Sequence, residues 1–101
     1  MTENFLCLTG IVTEKPIFKV SPSGVEHCLF TIEHRSVQKE VELPRNAYCY
    51  MPIVISGELA VQLKNKLSKG MQLRISGFIT FQKSANNVGK IVLHAQYIEQ
   101  I

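Results

Sequence analysis

Apolar and polar residues alternate at every second position through much of this chain, and a period of two is the geometry of an extended strand, whose successive side chains leave on opposite faces. In residues 25–35, Cys28, Phe30 and Ile32 share one parity and are opposed by His27, Thr31, Glu33 and Arg35. Residues 46–56 set Cys49, Met51, Ile53 and Ile55 against Tyr48 and Tyr50. Residues 71–83 set Leu73, Ile75, Ile79 and Phe81 against Arg74, Ser76, Phe78 and Thr80. A chain patterned in this way builds sheets with one face inward, not helix bundles.

The remaining segments fit the same plan. Residues 5–13 (FLCLTGIVT) are rich in strand formers on both parities, with Gly10 free to bend and Pro16 closing the run. Residues 17–20 then meet Ser21-Pro22-Ser23-Gly24, where proline presets φ and glycine accepts a left-handed turn, so the chain reverses into residues 25–35. Residues 36–45 (SVQKEVELPR) are charged, contain a proline and lack a strong period, which predicts a connecting loop. Leu59, Leu63 and Leu67 fall four apart and Gly70 follows, predicting a short amphipathic helix with a glycine C-cap. Residues 84–89 read as a turn and residues 91–101 as a last strand. Three strands, a short helix and two more strands, with curvature glycines at Gly10 and Gly77, predict an all-β fold. It is a five-stranded Greek-key barrel of the oligonucleotide/oligosaccharide-binding (OB) type, with the helix between strands 3 and 4. A sandwich is the alternative and needs about seven strands. A length of 101 residues suits one core, so residues 1–101 are expected to form one OB-fold domain.

No apolar run approaches the roughly 20 residues of a membrane-spanning helix, so neither a membrane nor an export signal is expected and the cytoplasm is the predicted location. Cys7, Cys28 and Cys49 are odd in number and sit in apolar contexts, which suits reduced, buried structural thiols better than a disulfide framework. The net charge of +3 is unevenly spread: residues 1–58 carry five basic and seven acidic side chains, whereas residues 59–98 carry Lys64, Lys66, Lys69, Arg74, Lys83 and Lys90 with no acid. Such a half suits a polyanion, and solubility alone accounts for it equally well.

Catalysis has little support. The chain has no metal-ligand pair at helical or Cys-x-x-Cys spacing, no phosphate-cradling glycine loop and no nucleophile elbow, and His27 and Cys28 point to opposite faces of one strand. No enzyme activity, metal or cofactor is therefore expected. Single-stranded nucleic acid, in contrast, asks for cations along the phosphates and aromatic rings under the bases. Tyr48 and Tyr50 offer the rings, with Arg45 just before them, Arg35 at the end of the second strand, Lys83 and Lys90 beside the last turn, and Lys19 in the first hairpin. In an OB barrel these elements border one groove. Two rivals stay open, namely a barrel whose groove serves chiefly as a protein-interaction adaptor and a binder of RNA or oligosaccharide.

Lys19-Val20-Ser21-Pro22-Ser23-Gly24, followed by His27-Cys28, Phe30 and Glu33-His34-Arg35-Ser36-Val37-Gln38, resembles the bacterial primosomal replication protein N (PriB) family, a relative of the bacterial single-stranded-DNA-binding protein (SSB). Met51-Pro52, Val54, Ser56-Gly57, Gly77-Phe78-Ile79 and Val92-Leu93-His94-Ala95 extend the likeness over nearly the whole chain. Gly10-x-Val12, Pro22-x-Gly24 and a helix ending at Lys69-Gly70 also resemble the general binding protein, whereas the stop at Ile101 without a glycine-rich linker or acidic tip does not. The resemblance implies a cytoplasmic, nucleoid-associated homodimer of the primosome that binds single-stranded DNA at stalled replication forks. It also implies association with the restart helicase PriA and with DnaT, and a part in reloading the replicative helicase. The family's DNA-contacting positions correspond to Lys19, Arg35, Arg45, Tyr48, Lys83 and Lys90, with Tyr50 added from the strand pattern. Tyr48 stands where the family has a stacking tryptophan and Ala85 where a lysine is frequent, which implies a weaker hold on DNA.

Overall fold

A computed structural model describes residues 2–101. Six strands and one helix follow in the order β1 (Leu6–Val12), β2 (Ile17–Val20), β3 (Glu26–Glu40), β4 (Leu43–Ser56), α1 (Glu58–Leu63), β5 (Gln72–Lys83) and β6 (Gly89–Gln100). They form one curled sheet in the order β1-β5-β6-β4-β3-β2, closed by a short antiparallel pairing of Ile11 and Val12 in β1 with Glu33 and Ile32 in β3. On the far side of the barrel β4 and β6 meet in parallel only at Ile53↔Leu93 and Val54↔His94. β1 and β2 together make one long bent strand interrupted before Ile17, so the barrel is the five-stranded Greek key with the helix in the expected connection.

The interior follows the alternation except at Phe81, which shares the parity of Leu73, Ile75 and Ile79 but stands exposed near the end of β5. Val12, Cys28, Ile32, Ile53, Ile55, Leu73, Ile75 and Leu93 are essentially inaccessible to solvent. Burying each aliphatic side chain of this size contributes about 1.5–3 kcal/mol before chain entropy is subtracted. Burial also pushes the Cys28 thiol up to about 11, leaving it protonated and inert. The expectation of three buried cysteines holds only for Cys28, because Cys7 is exposed on the outer face of β1 and Cys49 is half-buried.

Gly10 and Gly77 occupy points of close approach. A Cβ on Gly10 would lie 2.7 Å from the Glu33 carbonyl oxygen, where β1 crosses β3 to close the barrel. Gly77 sits at a register shift in the β5–β6 ladder, against the backbone of His94. Both are sites of tight curvature that admit no side chain.

Two local expectations are overturned. Residues 36–45 are not a loop: β3 and β4 pair without interruption from His27↔Ser56 to Glu40↔Leu43 and form a long arm. Val41 (φ 50°) and Glu42 (φ 62°) make its two-residue tip, the left-handed pair that matches strand twist. Ion pairs Lys39–Glu42 at 2.8 Å and Arg45–Glu40 at 3.4 Å lace the end of the arm. The arm was hidden because it is wet on both faces, so no apolar period marks it.

The helix, expected to run on to Gly70, ends at Leu63. Lys64 (φ −57°, ψ 131°) and left-handed Asn65 (φ 69°) build a tight turn, with the Lys66 N–H donating to the Leu63 carbonyl at 3.0 Å. Leu67 nevertheless stays in the core, and Gly70 donates its N–H to Val12 at 2.8 Å, fastening this connection to β1 where a helix cap was predicted.

Candidate nucleic-acid interface

The outward parity of β2, β3 and β4 lines up in cross-strand rows. Register places Lys19 beside His27 and His27 beside Ser56; the next row holds Ile17, Leu29 and Val54, followed by Thr31 with Pro52, Glu33 with Tyr50, and Arg35 with Tyr48. The hairpin of β5 and β6 adds a wall, because β6 meets β4 at Val54↔His94 and carries Val92 and Lys90 on the His94 parity, opposite Thr80 and Gln82. The result is a trough. One recess of about 380 Å³ is lined by Lys19, His27, Ser56, Gln82 and His94 among others. A second, of about 180 Å³, shares Leu29, Val54 and Gln82 with it and adds Lys15, Ile17 and Lys90.

Hydrogen bonds hold the walls of this trough. His27 Nδ1 lies 2.8 Å from Ser56 Oγ and His94 Nε2 lies 2.6 Å from Thr80 Oγ1. The His94 ring stacks on Phe78 at 4.8 Å between centroids, so its position is set from both sides. The floor between these groups is apolar, with Leu29 and Val54 half-buried, and suits the flat faces of bases.

Further along the same face, toward the arm, Tyr48 and Tyr50 emerge exposed with ring centroids 5.4 Å apart in an edge-to-face arrangement. Glu33 lies between them and Arg35. Arg35 Nε donates to Glu33 Oε1 at 3.1 Å, the Tyr48 hydroxyl donates to Glu33 Oε2 at 3.2 Å, and the Arg35 guanidinium sits 4.6 Å from the Tyr48 ring centroid. Hydrogen bonding to Arg35, then to the neighbouring tyrosine hydroxyls, holds the Glu33 carboxyl below the usual carboxylate range. The adjacent Tyr48 hydroxyl, then the Glu33 carboxylate, push the Tyr50 phenol up to about 12. The protonated phenol is therefore favoured by folding, a contribution present below the ordinary phenol range and lost as pH rises through about 12. Absorbance titration should show a late tyrosinate near 12 that disappears in Tyr50→Phe; a wild-type protein without it would contradict this arrangement.

The structure brings together Lys19, Lys90, Arg35, Tyr48 and Tyr50 on this continuous face. Two other candidates stand apart. Alternation along β4 puts Arg45 on the opposite face of the arm from Tyr48, with Gln38 as its cross-strand neighbour and Glu40 as its ion-pair partner. Lys83 pairs with Gly89 while Gln82 pairs with Lys90, so Lys83 and Lys90 leave opposite faces of the β5–β6 hairpin. Sequence reasoning missed Lys15, which lines the smaller recess, and Lys69, which joins Glu33 and Tyr50 around a hollow of about 580 Å³. Lys69 belonged to the acid-free basic half; Lys15 gave no signal, since only barrel closure carries it to the trough.

Residues 4–97 match a family described as "Another single-strand binding protein family". The chain is 48% identical over 101 residues to the replication restart protein PriB of Photorhabdus laumondii, covering 100% of this chain and 96% of the relative. It is 46% identical over the same length to PriB of Yersinia pseudotuberculosis, again covering 96% of the relative. Among solved structures, PriB of Ralstonia solanacearum superposes with a TM-score of 0.80 over 98% of each chain at 19% identity. The single-stranded DNA binding protein of Thermus aquaticus superposes with a TM-score of 0.82, covering 98% of this chain and 50% of that one at 17% identity. These two likenesses show the shared OB fold.

Proposed function

This chain belongs to the single-strand binding protein family, among the replication restart PriB proteins, and from that membership and the trough we propose that it binds single-stranded DNA during replication restart. One observation carries the reading: Lys19, Lys90 and Arg35 share a continuous outer face with an apolar floor and two exposed tyrosines. Cations spaced along such a face take phosphates, and Tyr48, Tyr50 and the floor take bases, with little sequence preference. No covalent step is involved; the protein works by binding.

The finer assignments belong to the same proposal. It acts in the cytoplasm at forks on the nucleoid, within the primosome, holding the restart helicase PriA on DNA and recruiting DnaT. The arm favours such protein contacts, for Val37, Val41 and Leu43 stand exposed near its tip, Val41 at 84%. A homodimer is supported by β1, whose edge away from β5 is paired with β3 only at Ile11 and Val12, leaving residues 6–10 without a strand on that side among the described residues. An open edge of this kind is a template for a second chain.

Titration of labelled oligo-dT tests the central claim. Neutralising three or four phosphates predicts affinity about 20- to 50-fold weaker at 200 mM than at 50 mM salt, since single strands give a slope of roughly −0.7 per phosphate. Affinity that stays flat over this range removes the phosphate track, and preference for RNA of equal length redirects the reading to another polymer.

A further inference from the structure

A carboxylate in the middle of a surface built for a polyanion needs an explanation. Glu33 is such a group. It lies half-buried on the outer face of β3, in register with Tyr50, and both of its oxygens are engaged, one by Arg35 Nε at 3.1 Å and the other by the Tyr48 hydroxyl at 3.2 Å. Two donors on two oxygens is also the way a phosphodiester is held, through its two non-bridging oxygens. The same contact draws the Arg35 guanidinium over the Tyr48 ring, 4.6 Å from its centroid, onto the surface that a base would otherwise occupy.

We propose that Glu33 stands in for a nucleic-acid phosphate in the unbound protein, holding Arg35 folded over Tyr48 until a single strand displaces it. The inference rests on the proposed DNA-binding reading and assigns Glu33 a role opposite to that of its neighbours. A strand entering this end of the face exchanges like for like: a phosphate replaces the carboxylate on Arg35, and a base replaces the guanidinium over the ring. Glu33 is then left facing the negative backbone, so each binding event carries a penalty that a neutral residue would not impose. In the free protein the exchange keeps Arg35 and the tyrosine ring satisfied by each other, which holds the platform closed to ligands that offer no phosphate to take the guanidinium.

Glu33→Gln tests this directly, because glutamine keeps the shape and removes the charge. The variant should bind oligo-dT about three- to tenfold more tightly at low salt, and its log–log salt dependence should steepen by about 0.7, the increment for one more positive charge left uncompensated opposite the phosphates. The gain should shrink when Arg35→Ala is combined with Glu33→Gln, since competition for the guanidinium is then removed and only the direct repulsion between Glu33 and the backbone is left. In the unbound protein the late tyrosinate near 12 should move down toward the ordinary phenol range in Glu33→Gln, which reads the cluster without DNA. Unchanged or weaker binding by a Glu33→Gln protein that melts like the wild type overturns the proposal and makes Glu33 a support for the platform. Failure of both proteins to bind oligo-dT overturns the DNA-binding reading and this proposal with it, whereas binding by the variant alone supports both.

Discussion

Gly77→Ala should lower folding stability by about 3 kcal/mol or more, one of the largest effects any single methyl group can have in this molecule. A Cβ at this position meets the carbonyl oxygen and carbon of His94 and the amide nitrogen of Gln96, all of them backbone. A flexible side chain could swing away; a ladder partner cannot. Relief requires β5 and β6 to separate at the register shift between Ser76 and Gly77, which sacrifices strand hydrogen bonds worth about 1 kcal/mol each in addition to the steric cost. For a domain of this size the loss corresponds to a drop of about 12 °C or more in melting temperature. Gly24→Ala is a useful contrast. That position has open space around it and a left-handed φ of 87°, so alanine there costs about 1–2 kcal/mol of backbone strain with no steric clash. A Gly77→Ala protein that melts at the wild-type temperature would show that β5 is not curved as described. The consequence reaches the trough as well, because His94 is the residue whose backbone Gly77 touches and whose ring lines the larger recess.

The largest expected functional loss comes from reversing two charges together. Lys19 on β2 and Lys90 on β6 approach the trough from different strands, both are exposed, and neither takes part in an ion pair among the described residues. Their freedom means that replacement leaves no orphaned carboxylate behind, so folding should be unaffected. Each reversal removes a phosphate contact and adds a repelling charge, and Lys19→Glu with Lys90→Glu should weaken oligo-dT binding about 100-fold at low salt. Lys83→Glu, on the far face of the same hairpin, should cost less than about threefold by this geometry. Equal losses from Lys83→Glu and Lys90→Glu would mean that the strand wraps the hairpin tip and does not lie along the trough. Unchanged melting of each variant separates a binding defect from a folding one.

The alternation identified Cys28, Ile53 and Leu73 as inward and Tyr48, Tyr50 and Glu33 as outward, and the structure agrees at each. Gly10 and Gly77 were recognisable as bends because an isolated glycine within a strand pattern marks curvature or close approach. The arm over residues 36–45 was not recognisable, since a ribbon exposed on both faces carries no apolar signature. The helix end was misplaced for a related reason: Leu67 keeps the helical spacing of Leu59 and Leu63 and is buried, but Asn65 turns the backbone before it. Burial of a leucine reports that its side chain reaches the core, not which backbone conformation delivers it.

The candidate site divides along the same line. Which side chains face outward is a local property, set by the two-residue period of each strand, and the sequence by itself determined it together with the barrel, the family likeness and the basic character of the second half. Which outward side chains share a surface is not local. The rows that join Lys19 to His27 and Arg35 to Tyr48, and the hairpin faces that part Lys83 from Lys90, depend on register, on the bulge at Gly77 and on closure of β1 onto β3. A shift of two residues in any ladder would exchange these neighbours and leave every side chain on its own face. Long-range pairing alone chooses the register, and so only the tertiary structure decided that a carboxylate, an arginine and two tyrosines meet at one end of a basic trough.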